Sequence, residues 1–99
     1  MLNHSQVPGI ALRYRYRKGT GQWGVHVTWQ EGDGPDRRQK HREFSLATHG
    51  PFGAVSAALA VRAEKTGLPQ AAPDMVWLRL CEALEPEVGR PALPTWDGP

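Results

Sequence analysis

The sequence predicts an α+β fold: a three-stranded antiparallel sheet packed on one α-helix, with an additional helix towards the C-terminus. Two observations carry that expectation. Large apolar side chains first recur at every second position, as in Trp23, Val25, Val27 and Trp29, with Gly24, His26 and Thr28 between them. Further on the spacing changes to three and four, as in Phe52, Val55, Leu59 and Ala63. A strand puts alternate residues on opposite faces, whereas a helix gathers residues three and four apart on one face.

Residues 23–30 are the central strand. One face is an apolar strip; the other carries small and polar residues, and β-branched and aromatic side chains suit the extended backbone. Residues 10–17 alternate too, with Leu12, Tyr14 and Tyr16 on one side and Arg13, Arg15 and Arg17 on the other. The glycines of residues 18–22 supply positive-φ positions for a hairpin joining these two strands. Residues 31–39, rich in Gly, Asp and Pro, read as a mobile loop without a regular element. Residues 40–47 form the third strand, with Phe44 and Leu46 apolar and His41, Glu43 and Ser45 polar.

One apolar sheet face needs a cover, and the next stretch supplies it. Pro51 suits the first turn of a helix, where its missing N–H costs nothing, and Gly67 is a conventional stop. Alanines at 54, 57, 58 and 60 keep this helix slim, with Phe52, Val55 and Leu59 expected in the core. After a linker, Asp74 is an expected N-cap for a second helix to about Leu84, with Val76, Trp77, Leu80, Cys81 and Leu84 as its apolar stripe. The domain plan is therefore 9–67 for sheet and helix, 68–86 for linker and accessory helix, and 87–99 for a flexible tail. Residues 1–8 read as a flexible lead-in.

A chain of 99 residues is one domain. With 39% hydrophobic and 22% charged residues its composition is that of a soluble globular protein. No apolar run has the length of a membrane span and no signal-peptide pattern opens the sequence, so a cytoplasmic location and no membrane partner are expected. Cys81 is the single cysteine, which rules out an internal disulfide.

Charge is unevenly placed. Arg13, Arg15, Arg17, Lys18, Arg37, Arg38, Lys40 and Arg42 outnumber Glu31, Asp33 and Asp36, whereas acids outnumber bases from Glu43 onward. Such a split suggests a cationic working face with a nucleic acid or another acidic partner as its counterpart.

The order of these elements, with Gly9-Ile10, the Arg-x-Arg of the first strand, Gly21-Gln22-Trp23-Gly24-Val25, Phe44-Ser45-Leu46, His49-Gly50 and the Ala-rich helix, resembles an AP2/ERF-type DNA-binding domain. The phage and bacterial variety is the most similar, and integrase arm-binding domains share the plan. The resemblance spans roughly residues 9–67. It implies a sheet backed by a helix that lays its other face in the DNA major groove, in a small transcriptional regulator binding a preferred double-stranded site. Its strand-one arginines match Arg13, Arg15 and Arg17; its outward strand-two positions match His26 and Thr28; its outward strand-three positions match His41, Glu43 and Ser45. The chain departs from the plant pattern by lacking the strand-two Arg and the outward strand-three Trp, so a GC-rich plant-type target does not carry over.

The residue types suit that mode. Arginine bonds guanine O6 and N7 bidentately, His and Thr make single contacts to base edges, and Glu43 is placed to accept from cytosine N4. Lys18, Arg37, Arg38, Lys40 and Arg42 suit phosphates. The alternative is a protein-binding accessory factor using the sheet face or the C-terminal helix. For that helix two placements compete: packing on its own domain, or a homodimer contact through Trp77, Leu80 and Leu84, which would double the DNA site. No enzyme is expected, because the four histidines lack metal spacing and no nucleophile or phosphate-loop motif occurs. No cofactor or metal is expected either.

Overall fold

The computed structural model describes residues 9–69, 71–89 and 93–98; the lead-in expected at 1–8 lies outside them. Three strands, β1 (Ile10–Arg17), β2 (Thr20–Glu31) and β3 (Arg38–Ser45), are followed by helices α1 (Leu46–Thr66) and α2 (Pro73–Val88). The sheet is antiparallel in the order β1-β2-β3. This is the α+β architecture that the two periodicities predict.

Register makes the two faces explicit, because residues directly opposite each other in a ladder point the same way. Leu12 pairs with Val25, Ile10 with Val27, and Val25 with Phe44. These side chains, with Trp29, form the buried face under α1. The helix contributes Ala54, Val55, Ala58 and Leu59, spaced to line one side of it. Val25, Val27, Val55 and Leu59 are all but sealed from solvent. Small side chains at 54 and 58 let the helix backbone approach the sheet closely.

The hairpin turn is tighter than the two flanking glycines suggested. Arg17 pairs with Thr20, leaving Lys18 (φ 53) and Gly19 (φ 78) as the turn itself. Two positive-φ residues match the twist of antiparallel strands. Gly21 leaves room for the Tyr14 ring, which lies over it and packs edge-on against Trp23.

Strand three begins earlier than expected, since Arg38 already pairs with Glu31 and Gln39 with Gln30. Pairing with an unusually long β2 recruits polar residues that have no strand pattern of their own. The segment read as an irregular loop thus shrinks to a short 3-10 turn at Gly34–Asp36. Strand three also ends earlier, at Ser45, whose hydroxyl accepts from the Ala47 N–H at 3.1 Å and caps α1. Leu46 and Ala47 are therefore helical. Gly50, with φ 73 and ψ 162, kinks α1, which restarts at Pro51 and stops at Gly67 (φ 74).

The accessory helix starts at Pro73, with Ala72 in the cap position, so Asp74 lies in the first turn instead of capping it. It runs to Val88, past the expected end near Leu84. Its stripe packs within the chain: α2 lies against α1 and β1, and Val76, Trp77 and Leu80 are buried in the common core. Cys81 and Leu84 are half-buried beside them. The residues expected to form a homodimer contact, Trp77, Leu80 and Leu84, are thus largely occupied by their own domain.

The tail expected to be flexible returns to the fold over its described residues. Trp96 lies 5.6 Å from the Trp77 ring and 5.7 Å from Phe52, centroid to centroid. Asp97 Oδ1 accepts from the Phe52 N–H at 2.8 Å. The break at Gly50 leaves the restarted helix without a local cap, and Asp97 fills that role from 45 residues away. Phe52, expected in the sheet–helix core, is 38% exposed and packs on Trp96 instead. Arg62 is buried on α1, where its guanidinium approaches the Pro69 carbonyl at 3.5 Å.

Candidate nucleic-acid interface

The other face of the sheet lies away from α1 and is bordered only along β1 by α2, whose Leu80, Leu84 and Glu87 share a hollow with Ala11 and Arg13. By register this face carries Thr28 beside His41, the row Ala11, His26 and Glu43, then the row Arg13, Gly24 and Ser45, and finally Arg15 beside Gln22. Seven residues expected to face outward are therefore gathered on it: Arg13, Arg15, His26, Thr28, His41, Glu43 and Ser45. Arg17 ends β1 and Lys18 stands exposed at the apex of the turn, at the same end of the sheet.

The remaining basic residues do not join this face. Lys40 pairs with Trp29 and Arg38 with Glu31, which places both on the helix side of the sheet. Strand parity turns the even-numbered residues of β3 away from the outward face, so the phosphate role expected of Arg38 and Lys40 would have to be played from the helix side. Arg42 shares that side and lies over the Phe44 ring, 5.1 Å from its centroid. Arg37 is exposed just after the 3-10 turn. A protein that binds a groove with its sheet can use such positions only on flanking phosphates.

The outward face is not a row of independent side chains. Glu43 Oε1 accepts from Arg15 Nη1 at 2.8 Å, and Glu43 Oε2 lies 2.8 Å from His26 Nε2. An ionised carboxylate only accepts, so that nitrogen carries the proton. Burial alone would raise the Glu43 pKa, but the hydrogen bonds and charges of Arg15 and His26 outweigh it and hold the carboxyl below its usual value of 4.5. The His41 ring stacks almost parallel to His26 at 6.4 Å.

Closed in this way, His26 is only 9% exposed although it lies on the face away from α1. Its expected role as a base reader is limited accordingly. Glu43 likewise has both oxygens engaged by its neighbours, which leaves it poorly placed for cytosine. Ser45 uses its oxygen on the helix cap. Arg13 has no ion pair among the described residues and borders, with Ala11, His26, Thr28 and Gln39, a hollow of about 240 Å³. Arg15 keeps most of its N–H donors free, and its side chain is 56% exposed.

Glu43 is the one acidic side chain that the register puts on this face, whereas Glu31 is turned to the helix side. The Trp29 indole donates to Glu31 at 2.6 Å, with the Lys65 ammonium of α1 4.0 Å from the same carboxylate oxygen. Among the described residues no three His, Cys, Asp or Glu side chains are arranged to hold a metal ion. No helix among them is long and apolar enough to cross a membrane.

Sequence reasoning missed the Arg15–Glu43–His26 set. Its members lie on three strands, and nothing but the register brings them together. A signal for it was present in Gly24, the small residue between Arg13 and Ser45, over which Glu43 lies. Comparison with protein-family models, with curated proteins and with solved structures finds no match for this chain.

Proposed function

We propose that this protein binds double-stranded DNA in a sequence-dependent way, laying the outward face of its sheet in the major groove, as a small transcriptional regulator of phage or bacterial type. The observation that carries the reading is the presence of two outward arginines, Arg13 and Arg15, both exposed, on the sheet face away from α1. Residues two apart on a strand are about 6.6–6.8 Å apart, and a groove about 12 Å wide admits such a structure. Arginine also supplies the commonest base-specific contact, to guanine. On this reading Thr28 and His41 make further contacts to base edges, and Lys18 and Arg37 meet flanking phosphates.

The test is a salt titration of binding to random-sequence duplex, followed by selection of preferred sites from a random library. A linear fall of log K with log salt reports phosphate neutralisation, and enrichment of a short motif reports base reading. A second reading, binding of another protein, rests on a different place. Asp74, Trp77, Leu78, Cys81, Pro94 and Trp96 border a groove of about 420 Å³ between α2 and the returning C-terminal segment. It becomes the better reading if no duplex binding occurs even at low salt.

A further inference from the structure

We propose that Glu43 is a positioning residue: lying across the sheet over Gly24 and held by His26, it fixes the Arg15 guanidinium so that Arg15 selects guanine at one base pair. The inference rests on the duplex-binding reading above and adds to it which base is read and by what device.

Four observations support it. Glu43 sits opposite His26 in the ladder, one row away from Arg13 and Gly24, so reaching Arg15 takes its side chain diagonally over β2. Gly24 makes that path available, since a β-carbon there would stand 2.7 Å from Glu43 Oε2 and 3.0 Å from its Cγ. The far oxygen is anchored by His26, a side chain only 11% exposed and thus unable to swing away. The near oxygen takes a single hydrogen bond from Arg15 Nη1, at 2.8 Å.

What this does to Arg15 follows from the shape of the guanidinium. One of its several N–H donors is spent on Glu43, and the rest keep the fixed planar fork that matches guanine O6 and N7. An untethered arginine loses side-chain freedom on binding and reaches a phosphate as easily as a base. A tethered one has already lost that freedom and points one way. Arg13, without such a tether, serves as the internal comparison. Because Glu43 carries a negative charge on the surface proposed to face DNA, it opposes binding to any phosphate backbone, so its presence there favours selectivity over affinity.

The experiment has one arm on the free protein and one on DNA, using the full chain, Glu43→Ala and Gly24→Ala. Gly24→Ala keeps the carboxylate but displaces it. On the free protein, nitrogen-15 NMR of the arginine side chains should show hindered rotation of the Arg15 guanidinium in the wild type, and free rotation in both variants. On DNA, the preferred site is obtained by library selection with the wild type, and each of its base pairs is then replaced in turn by the other three.

The expected result is that one G·C pair, discriminated roughly 5- to 150-fold by the wild type, becomes nearly indifferent in both variants. The other positions keep their preferences. Affinity for random duplex should rise in Glu43→Ala, which loses a negative charge, and stay level in Gly24→Ala. Free rotation of Arg15 in the wild type overturns the inference while leaving duplex binding standing. So does a hindered Arg15 combined with unchanged preference in both variants. A sharper preference in Glu43→Ala also overturns it, by showing that the carboxylate competes with DNA for Arg15. A wild type that binds no duplex overturns the functional reading and this inference together.

Discussion

Replacing Trp77 with alanine separates a helix that belongs to the core from one that waits for a second copy. Trp77 is 6% exposed, packs within the core shared by the sheet and both helices, and meets Trp96 at 5.6 Å. A buried tryptophan removes about 150–250 Å² from water, which at about 25 cal/mol per Å² is about 4–6 kcal/mol. Truncation to alanine typically costs about 3–5 kcal/mol. A domain of this size has about 5–15 kcal/mol in total, and each kcal/mol lowers the melting temperature by about 4–8 °C. Trp77→Ala is therefore expected to melt at least about 12 °C lower than the wild type. Leu78→Ala, at a position 51% exposed on the same helix, should change stability by less than about 0.5 kcal/mol. The assay is urea denaturation at two protein concentrations, with sedimentation equilibrium. An intramolecular helix gives a midpoint independent of concentration. A midpoint that rises with concentration, together with a folded and monomeric Trp77→Ala, would refute the core assignment and restore the dimer contact through this stripe.

Four further outcomes are expected. Arg15→Ala should lose about 1–3 kcal/mol on the preferred site and relax selection at one base pair, as read by binding to the same panel of substituted sites; an equal loss on every sequence would make Arg15 a phosphate contact. Arg37→Ala should reduce the slope of log K against log salt by about one, and an unchanged slope removes Arg37 from the interface. Asp97→Ala should cost about 0.5–2 kcal/mol in urea denaturation, the usual range for a lost helix cap, and no loss would show that the returning segment does not cap α1. Because the folded state holds the Glu43 carboxyl below 4.5, the unfolded chain binds the extra proton between the two values, and stability there rises with pH. The contribution of Glu43 is therefore present above 4.5 and lost as the pH falls through its lower folded value. The difference in unfolding free energy between wild type and Glu43→Gln should shrink over that acid range, and a difference independent of pH would contradict the ion pair.

Much of the fold is written in local patterns. Trp23, Val25, Val27 and Trp29 identify a strand and its buried face because alternation has only one regular backbone solution. Pro51 and Gly67 bracket a helix because one lacks an N–H and the other accepts a positive φ. Strand ends are less legible, since they depend on a partner: Arg38 is extended because Glu31 lies opposite it. The candidate site divides the same way. Parity assigned Arg13, Arg15, Thr28 and His41 to the outer face, but it also placed His26 there as a reader, where burial between Glu43 and His41 limits it.

The sequence by itself determined the periods of the elements, their order and the side of the sheet faced by the alternating residues in the middle of each strand. These depend on backbone geometry and on the hydrophobicity of residues close together along the chain. Only the tertiary structure decided that α2 completes the core, that Asp97 caps a helix 45 residues away, and that Arg15, Glu43 and His26 form one unit. Each of these requires parts of the chain distant in sequence to meet within hydrogen-bonding or van der Waals reach. That proximity is set by strand register and by which apolar surfaces remain uncovered once the sheet and α1 have packed, and no local pattern encodes it.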